Sequence, residues 1–211
     1  MSPVAQSSAN DRTAPQAEPI RLVAADRRAR LVDAATELLA EDDDAVSMDS
    51  VAERAGVSRP LVYKHFANRG ELLSAVYERE STLLHRELAD AVNAADSLED
   101  KFRALVAGAL RAEATRGATF AALRSAGARG RGLRERQRRR DRNTVRYFAA
   151  LAMQEHGSEE RETTEAVAIL LGALTSVLAQ WRRYPTPDNA KSLEEIYVRL
   201  AAGGLAALGR P

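Results

Sequence analysis

The chain has 211 residues, with 31 Lys or Arg against 30 Asp or Glu and a formal net charge of +1. It contains no Cys, which excludes disulfides, thiolate metal sites and cysteine nucleophiles. The near-zero charge announces neither a nucleic-acid nor a membrane partner. Aromatic residues make up 5% against a hydrophobic share of 45%, so Ala, Leu and Val must build the core.

Residues 1–22, with Ser2, Pro3, Ser7, Ser8, Asn10, Pro15 and Pro19, read as a disordered, solvated arm. Arg12 and Arg21 leave open an arm that touches nucleic acid. From Ala24 onward the pattern is helical, with no period-2 alternation and no hairpin turn signal. A first helix over about 25–41 carries Leu31, Ala34, Ala35, Leu38 and Leu39 on one stripe. The acidic run Glu41–Asp44 opposes the helix dipole and ends it. Short helices follow from Ser47 to Gly56 and over 59–65, then a long one from Arg69 to about Asn93. Further helices are expected at 97–116, 118–127, 131–156, 160–183 and 190–208. Their breaks are Asp96-Ser97, Gly117, Gly127 to Gly132, Gly157-Ser158 and Pro185-Thr186-Pro187. No stretch approaches the roughly 20 apolar residues of a bilayer span, and no signal peptide opens the chain. The expectation is a cytoplasmic, all-α protein with no membrane partner.

Residues 47–66, SMDSVAERAGVSRPLVYKHF, read as two short helices around a tight turn. Ser47 suits the N-cap of the first. Val51 and Ala52 face inward, and Gly56 supplies a positive φ. Val57 plugs the core beneath the turn, Ser58 can cap the second helix, and Pro60 sits in its first turn. Val62 and Phe66 return to the core. Ser58, Arg59, Pro60, Leu61, Tyr63, Lys64 and His65 are left facing outward, a mixture of donors, cation and apolar tips that suits a DNA groove.

These features, with RRARLVDAATELLAED before them and NRGELL after, resemble the tetracycline-repressor (TetR) family of transcriptional regulators over about residues 25–75. The resemblance implies an N-terminal three-helix domain containing a helix-turn-helix over 23–70. It also implies a C-terminal helical bundle over 71–211 for ligand binding and dimerisation. By residue, it implies phosphate contacts from Ser47, Tyr63, His65 and Arg69, and base contacts from Arg59, Leu61 and Lys64. Pro60 replaces the family's common Gly and Leu61 its common Thr, which bears on the operator sequence. Between Ala24 and Gly70 seven bases face nine acids, a local charge of −2. Binding is therefore expected to need a dimer on double-stranded operator DNA.

In the C-terminal part the 160–183 helix is apolar on two sides. Val167, Leu170, Leu171, Leu174, Val177, Leu178 and Trp181 form one stripe, and Ile169, Ala173, Ser176 and Gln180 a flatter second. The 190–208 helix sets Leu193, Ile196, Tyr197 and Leu200 against Val198, Ala201, Ala202 and Leu205, with Gly203 and Gly204 permitting close approach. Together the two helices read as a four-helix homodimer interface. The 131–156 helix carries eight Arg between 131 and 146 against Glu135 and Asp141. That is either a solvated face or a site for an anionic ligand such as a carboxylate or an acyl-CoA phosphate. Its inward stripe is expected to run Leu133, Gln137, Asp141, Thr144, Phe148 and Leu151. Candidate ligand contacts are Phe120, Leu123, Gln137, Asp141, Thr144, Tyr147, Phe148, Leu174, Leu178 and Trp181; Met153 is a further wall candidate.

The expected function is a ligand-responsive repressor with an unknown small-molecule effector. A regulator of the same fold that answers to a protein partner, or to no ligand, is the alternative, and a helical-bundle enzyme is remote. No H-x-x-x-H, nucleophile elbow or Gly-rich phosphate loop occurs, so no metal, cofactor or catalytic residue is expected.

Overall fold

The computed structural model describes residues 17–42, 45–125 and 131–209. Eight helices follow one another, with no strand among the described residues: α1 (Ala17–Glu41), α2 (Met48–Arg54), α3 (Arg59–His65), α4 (Arg69–Ala94), α5 (Leu98–Ser125), α6 (Arg131–His156), α7 (Glu160–Arg183) and α8 (Pro187–Ala206).

α1 begins at Ala17, so the expected arm gives way to helix before residue 22. Residues 1–16, Asp43, Asp44 and the glycine-rich break at 126–130 lie outside the described residues, as do the side chains of Arg21, Arg131, Leu133 and Arg134. The expected break at Gly117 is absent, and α5 runs through it. A single glycine costs a helix only about 1 kcal/mol relative to alanine, and the apolar positions of α5 pack on both sides of it. By length and apolarity alone α7 could cross a membrane, against the sequence expectation. Its uncharged stretch, Ala166 to Trp181, is 16 residues, short of the ~20 that a span needs.

Two cores are formed. The first takes Leu31, Val32, Ala34, Ala35, Leu38 and Leu39 from α1, Val51 and Ala52 from α2, and Val62 and Phe66 around α3. It also takes Leu72, Leu73, Ala75 and Val76 from α4 and Leu123 from the end of α5. The second joins Val92 of α4 and Leu98 to Leu110 of α5 with Phe148, Ala149 and Ala152 of α6, Val167 of α7, and Tyr197, Val198, Ala201 and Leu205 of α8. α4 and α5 therefore belong to both cores. Lys101, buried near the start of α5, donates to the Val92 and Ala95 carbonyls that end α4. A cation there satisfies orphan carbonyls and complements the dipole. Tyr197 donates to the Leu170 carbonyl at 3.0 Å and ties α8 to α7.

On α7 the stripe from Val167 to Trp181 faces the second core as expected. On α8 Tyr197 turns inward with Val198, Ala201 and Leu205, while Ile196 and Leu200 stay outside. The α6 stripe is shifted from the expected one. Val145, Phe148, Ala149 and Ala152 pack inward and Asp141 is exposed, because a carboxylate avoids an apolar interior that offers it no charge partner.

Candidate functional site

The N-terminal site is built on local chain chemistry. Ser47 caps α2 through a reciprocal pair: the Ser50 N–H donates to Ser47 Oγ at 3.0 Å, and the Ser47 N–H to Ser50 Oγ at 2.8 Å. α2 ends in a Schellman turn, with the Gly56 N–H on the Glu53 carbonyl at 3.1 Å and the Val57 N–H on the Ala52 carbonyl at 2.9 Å. Gly56 takes φ of 65° to close it. Ser58 opens α3 without a side-chain cap bond, and Pro60 occupies the first turn, where no intrahelical N–H is needed.

With Val62 and Phe66 fully buried, α3 is anchored by one face and presents the other. Arg59, Pro60, Tyr63 and Lys64 are exposed, as is Ser58 at the cap. Leu61 and His65 are half-buried, which departs from the expected fully outward set. A seven-residue helix packed on α2 has too narrow an arc to keep six of its side chains fully in solvent. Arg59 pairs with Asp49 of α2 at 2.7 Å, and its guanidinium lies 5.7 Å from the Tyr63 ring centre. A hydrogen bond to Tyr63, then the charge of Asp49, pushes the Arg59 pKa above its ordinary value. Arg69, half-buried at the start of α4, donates from Nε to the Val46 carbonyl at 2.6 Å. That contact brings Arg69 beside Ser47, so two of the expected phosphate contacts share one edge of the unit.

The local excess of acid is partly quenched internally. Arg54 of α2 holds Glu41 at 2.7 Å and Glu37 at 3.5 Å. Its hydrogen bonds draw the Glu41 carboxyl below the usual range. Asp33 pairs with Arg79, a base from further along α4. Arg28 lies over the Phe66 ring at 4.7 Å.

The second site is a cavity of ≈ 1030 Å³ between α4, α6 and α7, at the upper end of the range for small-molecule pockets. Leu88, Val92, Leu105, Leu171, Leu174 and Leu178 supply apolar wall, and His85 a polar position on α4. Seven of the expected contacts line it: Gln137, Asp141, Thr144, Tyr147, Phe148, Leu174 and Leu178. Three lie elsewhere. Leu123 is fully buried in the first core, and Phe120 packs edge-on against Tyr77 at 5.8 Å. Trp181 packs on the second core. α5 runs unbroken past Gly117 and carries Leu123 into the first core and Phe120 against Tyr77 of α4, away from the cavity. Met153 is half-buried and is likewise absent from the cavity wall.

His85, Ala89 and Asn93 of α4 also line the cavity, beyond the residues expected from the sequence. Their spacing of four places them on one helix face, a signal the sequence carried. Of the Arg-rich helix, Arg136 reaches Glu78 at 2.9 Å and Arg140 donates to Thr82 at 2.9 Å, both on α4. Arg142 and Arg146 stand at the cavity edge. Among the described residues no cluster of His, Asp and Glu could hold a metal ion.

A third surface is apolar. Ile169 on α7 is 72% exposed, and Leu200 and Ile196 on α8 are 64% and 43% exposed. A Cβ added at Gly203 or Gly204 would meet nothing within 4 Å.

The family of bacterial regulatory proteins described as tetR matches residues 31–76. The HTH-type transcriptional activator FasR of Mycolicibacterium smegmatis is 36% identical over 87 residues, which are 41% of this chain and 40% of that protein. The chain thus spans well under half the length of this curated relative. A crystal structure from Pseudomonas aeruginosa, assigned as a transcriptional regulator, superposes with a TM-score of 0.70 at 18% identity, covering 91% of this chain and 93% of the other. The regulator FadR of Bacillus subtilis, in complex with stearoyl-CoA, superposes with a TM-score of 0.59 at 16% identity, covering 83% and 97%. At these identities the structural likeness concerns the fold.

Proposed function

We propose that this chain, whose residues 31–76 match the tetR family of bacterial regulatory proteins, is a homodimeric DNA-binding transcriptional regulator whose operator affinity is set by a small molecule. The observation that carries this reading is the outward face of α3. Arg59, Pro60, Tyr63 and Lys64 stand exposed on a helix fixed from behind by Val62 and Phe66. Such a helix enters a major groove, with Arg59 and Lys64 reading base edges and Leu61 touching a thymine methyl at the groove wall. Ser47, Ser58, Tyr63, His65 and Arg69 hold phosphates on either side.

The unit joining α2 and α3 to α1 serves as the DNA-binding domain, and the second core with the cavity as the ligand and dimerisation domain. The exposed faces of α7 and α8, with Ile169, Ile196, Leu200 and the two glycines, pack against the same faces of a second copy. An isologous contact of this kind sets two α3 helices one helical turn apart on a pseudo-palindrome.

The cavity between α4, α6 and α7 holds the effector. Its apolar walls suit a long apolar portion, and Arg142 and Arg146 at the edge suit an anionic portion outside it. The stearoyl-CoA held by the FadR neighbour supports an effector of that general shape. α4 is the coupling element. It starts at Arg69 beside the DNA-facing unit, and His85 lies 16 residues on, about 24 Å along the axis. An effector with unequal affinity for two dimer geometries shifts the spacing of the heads, and release from the operator gives repression lifted by ligand. The protein acts in the cytoplasm, where the DNA is, and carries out no catalysis.

The test is a gel shift on the DNA upstream of the protein's own gene, with Tyr63→Ala/Lys64→Ala. Binding is expected to fall at least tenfold while sedimentation shows an unchanged dimer. Unchanged binding refutes the assignment of α3.

A further inference from the structure

The cavity is mostly apolar, but its end between α4 and α6 is not. Among the described residues two buried side-chain nitrogens lack a hydrogen-bond partner, His85 Nε2 and Arg79 Nε. Arg79 is otherwise held by Asp33 and Thr36. His85 lines the cavity and has no such compensation at Nε2. A buried polar atom without a partner is destabilising; the residue lines the cavity while Nε2 itself is closed off in the empty cavity, so a ligand reaches it through a turn of the half-buried ring.

The groups around it are engaged with other side chains. Asp141 accepts from Gln137 at 2.9 Å, and Arg140 donates to Thr82 at 2.9 Å. Arg140 and Asp141 are the charged residues that bear on His85, and they oppose one another. Burial first, and Arg140 second, push the His85 pKa below its ordinary value, so the imidazole is neutral at neutral pH. Arg140 and Asp141 are adjacent and of opposite sign, so a charged ligand group brought to this end meets a like charge as well as an opposite one, and gains little for the desolvation it suffers. A hydroxyl or carbonyl would be matched, because neutral imidazole donates or accepts at Nε2 according to its tautomer.

We propose that His85, by turning its ring toward the cavity it lines, is the specificity-determining residue there, reading an uncharged hydroxyl or carbonyl on an otherwise apolar effector. The inference rests on the cavity being the effector site. It assigns the end at His85 to a neutral polar group and leaves any anionic group to Arg142 and Arg146, which also line the cavity.

The test uses 2-dodecanone, 1-dodecanol and dodecanoate as probes on the full-length protein. Binding is read by displacement of the neutral dye N-phenyl-1-naphthylamine. Leu174→Trp, which adds bulk to the cavity wall, is expected to weaken all three. His85→Phe is expected to weaken the ketone and the alcohol by about 5- to 10-fold, the effect of one hydrogen bond, and dodecanoate by less than about twofold. His85→Gln, which keeps a donor and an acceptor, should recover part of the loss. The ligand-free melting temperature of His85→Phe should be unchanged or higher, since an unpaired buried nitrogen is removed. Equal losses for all three probes, or none for the ketone and alcohol, overturn the role of His85. Probes that fail to bind, or that bind undiminished to Leu174→Trp, overturn the cavity reading itself.

Discussion

Gly56 closes the turn that sets α3 against α2, and its replacement isolates one physical effect. Its φ is 65°, and a Cβ built there meets no heavy atom within 4 Å. Gly56→Ala therefore introduces no clash, and its cost is the left-handed backbone alone, roughly 1–2 kcal/mol. Replacing glycine also narrows the unfolded ensemble, which returns about 0.4–1 kcal/mol. The net expectation is a destabilisation of about 1 kcal/mol, a fall in melting temperature of about 2–4 °C for a chain this long. Gly56→Asn should cost less, since Asn visits the left-handed region readily. Urea unfolding of wild type and both variants measures this, with operator binding recorded in parallel. Operator affinity should fall for Gly56→Ala if the Schellman turn relaxes, because α3 then leaves its angle to α2. Stability within about 0.3 kcal/mol of wild type, or an Asn variant as costly as Ala, would refute the account of the turn.

Three further outcomes are expected. Asp49→Asn frees Arg59 and removes a negative charge from the DNA-facing edge, so operator binding should tighten; stability should change by less than about 1 kcal/mol, as for an exposed pair, and unchanged or weaker binding would count against Arg59 as a base reader. Below its ordinary pKa of 6.5, His85 takes up a proton more readily in the unfolded chain than in the folded one, so stability should be level above that pH and fall below it. His85→Phe should flatten that fall between about pH 7 and 5.5, and identical pH profiles would exclude His85 as its source. Ile169→Glu with Leu200→Lys places charges on side chains exposed in the single chain, so the monomer should stay folded while sedimentation shows the dimer lost; an intact dimer would move the interface elsewhere.

Much of this fold is legible in the sequence. The α3, α6 and α7 bounds follow directly from Pro60, the glycines near 130 and 157, and the Pro185–Pro187 break, because caps and breakers act within a few residues. The helix-turn-helix was legible for the same reason: Ser47, Gly56 and Pro60 each satisfy a local backbone demand, and Val62 and Phe66 mark the inward face by spacing alone. Gly117 misled because a helix tolerates a glycine when packing on both sides repays it.

What only the tertiary structure decided is where shared helices go. α5 continues into the first core, which buries Leu123 beside α1 and removes Phe120 and Leu123 from the cavity wall. α4 reaches both cores, so the cavity gains His85, Leu88 and Val92 from a helix whose start lies at the helix-turn-helix unit. Periodicity reports that a face is apolar, but not which of two cores buries it. The same holds for charge. The tally of −2 around the helix-turn-helix is a property of the chain, whereas the quenching of Asp33 by Arg79 arises only when α4 is laid against α1.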